Sequence, residues 1–272
     1  MLRDHEDRLA ELFDNYSRSW GPVQWRELCA KIEVGHDVKH GRMLSALSLI
    51  EADSAVMRRK LAATRADRSN PIKDFNVLWL AEEAEHGRAL QAASEMLRTR
   101  VAQPWTRPAV RDLRSTATWP ALYLSGWLVP HLEAVYCTLG SVQEYIALTT
   151  YRHIGKRVGD PALQELLECI ARQEARHMRF YREAAKVLLE SPRARRVTTA
   201  LMARLWRPPG VDLLGPRVWL DVFGPLLTDG VYVRQLLRVD ELLGNLTGHR
   251  GVRPMQRFID TTVPSRCTAS TG

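Results

Sequence analysis

Apolar residues recur along this chain at the spacing of an α-helix. From position 70 to about 100, and again from 161 to about 190, an apolar or small residue returns every three or four positions. Residues at that spacing share one face of a helix, so the pattern predicts amphipathic helices. No segment alternates with the period of a β-strand. The predicted fold class is therefore all-α.

Proline, glycine and asparagine mark where the predicted helices begin and end. Asn70 and Pro71 suit a helix start, and the turn at 158–161 ends in Pro161, which suits another. A Pro-Pro-Gly sequence at 208–210 marks a loop. The predicted helices cover residues 5–17, 22–33, 39–65, 70–100, 131–156, 161–190 and 193–206, with partial helix over 110–135 and one or two helices within 217–246.

Two Glu-x-x-His pairs interrupt the apolar stripes of the two longest predicted helices. The pairs are Glu83/His86 and Glu174/His177. A carboxylate and an imidazole three residues apart lie on the same helix face, where they can hold one metal ion together. Burying an unpaired carboxylate is costly, and a bound cation would compensate for it. The two Glu-x-x-His pairs within these apolar stripes therefore indicate metal-binding positions.

These pairs belong to an internal repeat. Glu51 precedes Glu83 by 32 residues, and Glu144 precedes Glu174 by 30. That separation leads from the middle of one helix, around a turn, to the middle of an antiparallel neighbour, with roughly 15 residues or 22 Å on each side. Four helices would then direct four glutamates and two histidines at one point, as in ferritin-like di-iron and di-manganese proteins. The predicted fold is a ferritin-like four-helix bundle with additional N- and C-terminal helices.

Some of these residues could instead have purely structural roles. The Glu-x-x-His pairs could be ion pairs on a helix surface, and Glu51, on a more polar helix, could lie on a solvated face. A third pair, Glu33/His36, has a glycine inside it and no repeat partner, so we give it no role. Small residues at 140, 141 and 147 flank Glu144 and leave room for metals, dioxygen or a substrate chain.

Composition and charge restrict which partners and which cellular compartment we expect. The chain has 39 Lys and Arg against 31 Asp and Glu, a formal net charge of +8, which attracts acidic partners. The basic residues are dispersed and no nucleic-acid motif occurs, so we expect no nucleic-acid partner. The four cysteines are scattered, which favours a reducing compartment. Because no run of 18 apolar residues and no apolar leader occur, we predict a cytoplasmic protein without a transmembrane segment.

Four segments resemble the motifs of the soluble acyl-carrier-protein desaturases. Residues 79–87, WLAEEAEHG, resemble W-x-A-E-E-x-x-H-G, and residues 170–177, IARQEARH, resemble I-A-x-D-E-x-R-H. Residues 141–144, SVQE, are similar to S-F-Q-E, and Glu51 falls where that family has its first ligand. The resemblance runs from about residue 44 to 190, in the family's order and spacing.

The resemblance implies a di-iron enzyme that uses O2 to desaturate an acyl chain on acyl carrier protein. A ferredoxin-type donor would supply electrons, and the enzyme would be a homodimer. Acidic carrier proteins would suit the basic charge. Manganese accepts the same ligands as iron. The resemblance places one Fe2+ on Glu51, Glu83 and His86 and the other on Glu144, Glu174 and His177, with Glu83 and Glu174 as candidates for bridging.

The chain departs from the family pattern near the ligands. Gln173 stands where the family usually has an Asp that orients a ligand histidine, and Ala147 stands where a Thr is common. The Leu-Pro that follows the family's first ligand is also missing. The residues expected to support the metal ligands from outside are Gln143, Gln173, Trp79 and Ala147.

Several functions remain open from the sequence. A related di-iron oxygenase could hydroxylate or N-oxygenate its substrate instead of desaturating it. Iron storage would need only four helices, roughly 160–180 residues, so the additional C-terminal helices argue against it. A binding protein with a basic surface is the non-enzyme alternative. We expect residues 1–272 to form a single domain with its metal-binding core at about 39–190 and a disordered tail after about 264.

Overall fold

A computed structural model describes residues 2–21, 23–35, 37–62, 69–97 and 131–262. These ranges contain helices and connections but no β-strand, which confirms the all-α prediction. A short 3-10 helix spans Gly224–Thr228. The α-helices are α1 Leu2–Arg18, α2 Trp25–Cys29, α3 Val38–Ala62, α4 Asn70–Met96, α5 Leu132–Gly155, α6 Pro161–Leu188, α7 Pro192–Leu205, α8 Val211–Leu214, α9 Pro216–Phe223, α10 Gly230–Thr247 and α11 Pro254–Thr262.

Several predicted bounds need correction. The helix predicted over 22–33 is only the five residues of α2, because the chain leaves it through tight turns in which Lys31 and Ile32 donate to carbonyls three residues back. Ser69 occupies the N-cap position of α4, and Asn70 is its first helical residue. The predictions for 63–68, for 98–130 and for the C-terminal tail lie outside the described ranges. The single-domain assignment stays a prediction.

Two short helices were missed by the sequence patterns, α8 and α11. The start of α11 is stabilised by Asp240 of α10, whose carboxylate accepts hydrogen bonds from the backbone N–H groups of Met255 and Gln256, each at 2.9 Å. These bonds satisfy N–H groups that a helix start leaves without an intrahelical partner. Because the capping carboxylate comes from another helix, the local sequence shows only Pro254 at this helix start and not the cap.

The centre of the fold is a bundle of α3, α4, α5 and α6. Helix α3 packs along α4, and α5 packs along α6. The connection between α5 and α6 is short, and Asp160 caps α6 by accepting the Leu163 N–H at 2.8 Å, with Pro161 in the first turn. The other carboxylate oxygen of Asp160 accepts the Glu33 N–H at 2.7 Å, which joins this turn to the segment after α2.

Two apolar clusters lie on either side of a polar layer inside the bundle. Along α4, Phe75 and Trp79 belong to one cluster, and Leu90 and Ala93 belong to the other. Helices α5 and α6 likewise contribute residues to both clusters. The predicted ligands lie between them, at mid-helix. Apolar packing on both sides therefore holds the polar layer in place and keeps water away from it.

The remaining helices cover the bundle. Helices α1 and α2 pack against α4 and α6, α7 and α10 pack against α5, and α9 contacts α3. This arrangement confirms the ferritin-like bundle with additional N- and C-terminal helices. Within the described ranges, every helix is too short or too polar to cross a membrane.

Gly140 allows α5 and α6 to approach closely, and we expect Gly140→Ala to destabilise the protein. A Cβ atom there would lie 2.7 Å from ring atoms of Tyr181, which is fully buried and cannot move aside. Such overpacking costs about 1–3 kcal/mol in the free energy of unfolding. Chemical denaturation would measure it. Gly159→Ala is the matched control because its Cβ would meet nothing within 4 Å, and an equal loss in both variants would contradict the explanation.

Candidate metal centre

The six predicted ligands lie in the polar layer of the bundle. All four helices of the bundle contribute to this set. All six are buried, with exposed fractions of 7% or less. Burial of so many ionisable groups is rare unless they are paired or coordinate a metal. The buried positions argue against the solvated face considered for Glu51 and against surface ion pairs for the two Glu-x-x-His pairs. The ligands are Glu51 on α3, Glu83 and His86 on α4, Glu144 on α5, and Glu174 and His177 on α6.

The six side chains form two overlapping groups that could each hold a metal ion. In each group, the ligand atoms lie within 4.8 Å of one another. Glu83 and Glu174 belong to both groups, which is the arrangement expected of two ions with shared carboxylates. The first group adds Glu51 and His86 to the shared pair, and the second adds Glu144 and His177.

Both histidines direct Nδ1 toward the shared glutamates. His86 Nδ1 lies 3.1 Å from Glu174 Oε1, and His177 Nδ1 lies 3.2 Å from Glu83 Oε1 and 3.2 Å from Glu174 Oε2. The i,i+3 spacing places each histidine beside the glutamate of its own pair. Nδ1 is therefore the nitrogen available to a metal, and Nε2 points away from the centre.

Gln173 supports His86 from outside. Its Oε1 lies 2.5 Å from His86 Nε2, and its Nε2 donates to the backbone carbonyl of Gly21. A carbonyl can only accept, so the amide must present its NH2 group to Gly21 and its oxygen to His86. His86 therefore carries its proton on Nε2. Gln173 thus orients a histidine that is a predicted ligand, the role that the resemblance assigns to an Asp.

Glu82 supports His177 in the corresponding position. Its Oε2 lies 2.7 Å from His177 Nε2 and accepts the Tyr16 hydroxyl at 2.6 Å. Its Oε1 accepts a hydrogen bond from Arg176 Nη2 at 2.6 Å. Although burial opposes ionisation, these partners hold the pKa of the Glu82 carboxyl below its usual value. His177 therefore faces a carboxylate, whereas His86 faces a neutral amide.

The two unshared glutamates each accept one further hydrogen bond. Trp79 Nε1 donates to Glu144 Oε1 at 3.0 Å, and the Tyr151 hydroxyl donates to Glu51 Oε1. Trp79 thus lies where an outer supporting residue was predicted. Gln143 is half-buried, and in the described ranges no hydrogen bond joins it to a ligand. Ala147 packs against an apolar cluster.

Burial and mutual proximity shift the pKa values of the carboxyl groups in the centre. Burial, followed by repulsion from neighbouring glutamates, raises the pKa of Glu83 and of Glu144 well above the usual value. Burial also raises the pKa of Glu51. The pKa of Glu174 is lowered despite burial, because His86 and His177 stabilise its charge. Two dications, one in each ligand group, would together stabilise all four carboxylates, and their binding would release protons.

Unsatisfied polar atoms test whether a metal fits. Within the described part of the chain, nine buried side-chain polar atoms have no hydrogen bond of good geometry, and three of them belong to predicted ligands: Glu83 Oε1, His86 Nδ1 and Glu174 Oε1. All three lie at the centre, where each belongs to a group that could hold an ion. Buried polar groups without partners are uncommon and need an explanation. The oxygen and nitrogen donors fit iron or manganese.

Sequence patterns missed several residues around the ligands. Tyr151 follows Glu144 by two helical turns and so lies on the same helix face, a signal that could have identified it. Glu82 and Arg176 lie inside the desaturase-like motifs but were given no role. Tyr16 and Gly21 carried no signal, because they reach the centre only through the packing of the N-terminal segment against α4 and α6.

We expect Tyr151→Phe to lower the free energy of unfolding by about 1–3 kcal/mol, because Glu51 Oε1 loses a buried donor. Chemical denaturation of the metal-free protein would measure the change. Tyr145→Phe is the control on the same helix, since the half-buried Tyr145 donates to the Gln235 carbonyl and touches no ligand. Equal effects of the two substitutions would contradict a special role for the Tyr151 hydroxyl.

The fold and the buried Glu/His cluster define a ferritin-like helical protein with side chains that could hold metal ions. The model of a family described as fatty acid desaturase matches residues 53–209, more than half of the chain. The chain belongs to this fatty acid desaturase family, which supports a desaturase-type oxidoreductase function. The match contains five of the six predicted ligands and begins just after Glu51. No curated protein and no solved structure matches the chain significantly.

Proposed function

We propose that this protein is a di-iron oxidoreductase that uses O2 to desaturate an acyl chain carried on acyl carrier protein. The observation that carries the proposal is the pair of overlapping ligand groups that share Glu83 and Glu174. Family membership supports oxidation of an acyl chain. Iron is the proposed metal, although the same donors suit manganese.

When bound, the two iron ions would supply the redox chemistry that activates O2 for oxidation of a C–H bond. The protein's part is to hold and shield them. Glu83 and Glu174, which belong to both groups, would help to hold both ions, while Trp79 and Tyr151 hold the unshared carboxylates in place. Apolar clusters on both sides of the polar layer exclude water, which limits side reactions at the centre.

The partners follow from charge and from the resemblance. A net charge of +8 favours association with an acidic carrier protein. A ferredoxin-type donor would supply electrons, and the functional unit would be a homodimer in the cytoplasm. These assignments rest on the resemblance to soluble acyl-carrier-protein desaturases.

The test is turnover with saturated acyl chains on acyl carrier protein, reduced ferredoxin and O2, followed by mass spectrometry of the released acids. We expect a product that lacks two hydrogens. Glu174→Ala should be inactive, and Glu85→Gln, which alters an outward carboxylate paired with Arg88, should retain activity. A product that gains one oxygen would instead assign the related hydroxylase function. Absence of iron, together with equal inactivity of wild type and variants, would reject the enzyme and favour a binding role.

A further inference from the structure

The two ligand groups are chemically identical in their direct donors. Each has the shared Glu83 and Glu174, one further glutamate and one histidine. The unshared glutamates each accept one hydrogen bond from a neutral aromatic donor, Trp79 or Tyr151. Any large intrinsic difference in metal affinity must therefore arise elsewhere.

The difference lies behind the histidines. Glu82 presents a carboxylate to His177 Nε2, whereas Gln173 presents an amide oxygen to His86 Nε2. A carboxylate that accepts the outer N–H makes the imidazole a stronger base, and thus a better metal ligand, than a neutral acceptor does. The amide cannot turn to change this, because the Gly21 carbonyl holds its NH2 group.

Arg176 reduces the negative charge that Glu82 presents to His177 but does not cancel it. Its guanidinium pairs with Oε1 of Glu82, while His177 is bonded to Oε2. The Arg176 side chain is 31% exposed, so solvent screens part of its charge, whereas Glu82 and His177 are fully buried. Arg176 therefore offsets the charge of Glu82 only in part, and Oε2 of Glu82 still presents a carboxylate oxygen to His177 at 2.7 Å.

We propose that the two metal positions are inequivalent, and that the position built on His177 fills before the position built on His86. The reason is that Glu82 backs His177 with a carboxylate whereas Gln173 backs His86 with an amide. This inference rests on the proposed metal centre and adds an order of loading to it. Loss of an outer partner typically changes metal affinity by about 10–100-fold, which sets the expected difference.

The experiment is an anaerobic titration of the metal-free full chain with cobalt(II), followed by visible absorption in the presence of a competing chelator. Wild type should bind in a tighter and a weaker phase. Two phases alone are insufficient, since repulsion between two neighbouring dications would separate even identical positions. The variants decide which position belongs to which phase.

Glu82→Gln removes the charge but keeps the shape and an acceptor oxygen. We expect it to weaken the tighter phase by about tenfold or more. If the positions were equivalent, the first ion would simply occupy the unaltered His86 position, so the tighter phase would survive and only the weaker phase would change. That second result would overturn the proposal. Glu85→Gln, on the same helix but directed toward Trp25 and Arg88, should change neither phase.

Gln173→Glu provides an independent test if Glu82→Gln does not fold, as judged by circular dichroism. It places a carboxylate behind His86, while the half-buried Gly21 carbonyl can accept a hydrogen bond from water instead. The weaker phase should then tighten by about tenfold, and an unchanged weaker phase would overturn the proposal. A wild-type chain that binds no cobalt would reject the metal centre itself, which is distinct from two bound ions of equal affinity.

Discussion

Glu83→Ala and Glu174→Ala are each expected to remove both metal ions, whereas Glu51→Ala and Glu144→Ala are expected to weaken only one position. The reason is that Glu83 and Glu174 belong to both ligand groups and the other two glutamates to one each. Loss of a direct ligand should exceed the roughly 10–100-fold penalty for losing an outer partner. Desaturase activity should be lost in all four variants, because the proposed chemistry needs both ions.

Metal analysis after anaerobic loading with Fe2+ would measure this contrast, together with the near-ultraviolet absorption of the oxidised protein. Wild type should hold about two irons per chain, as the ligand set implies. Glu85→Ala is the control, since Glu85 lies on the same helix as Glu83 and its carboxylate bonds to Trp25 and Arg88. Two irons retained in Glu174→Ala would contradict the shared role of that residue.

Removal of metal is expected to lower the melting temperature by roughly 10–20 °C. Each ion that is present at about 100 times its Kd adds about 2.7 kcal/mol to the free energy of unfolding. In large domains, 1 kcal/mol corresponds to roughly 2–4 °C. The bundle centre is the physical source, because burial and mutual repulsion disfavour ionisation of Glu83 and Glu144 when no cation is present.

Calorimetry with excess metal and with a chelator would measure this difference. The control is a variant that we expect not to lower the melting temperature of the metal-free protein. Glu144→Gln removes one of the crowded carboxylates and can still accept the Trp79 N–H, so the metal-free variant should melt no lower than metal-free wild type. Its gain from added metal should be smaller than that of wild type. Equal melting temperatures of wild type with and without metal would contradict a metal-stabilised centre.

Stability and function are therefore opposed in the polar layer. Four buried glutamates are unfavourable for a metal-free fold, yet each is needed if two ions are to be held. Natural proteins accept such local costs at functional sites when the surrounding packing is strong. Here that packing comes from the two apolar clusters on either side of the layer.

Local sequence rules were sufficient for the long helices and for the six side chains that the structure brings together in the polar layer. The Glu-x-x-His spacing places both side chains of a pair on one face, and the repeat places Glu51 and Glu144 level with their partners. These relations depend only on helix period and rise. The ends of short elements were less predictable, as α2 and α11 show, because turns and a cap from Asp240 determine them.

The sequence by itself determined the all-α class, the bundle and the six residues that face its centre, since helix periodicity is a local property of the chain. The resemblance offered Glu83 and Glu174 as bridging candidates, and the tertiary structure places both of them in each ligand group. Only the tertiary structure decided that Nδ1 of each histidine points inward. It also decided that Tyr16, 66 residues before Glu82, would bond to it. Such contacts depend on the angles and distances between helices, to which no spacing along one helix is sensitive.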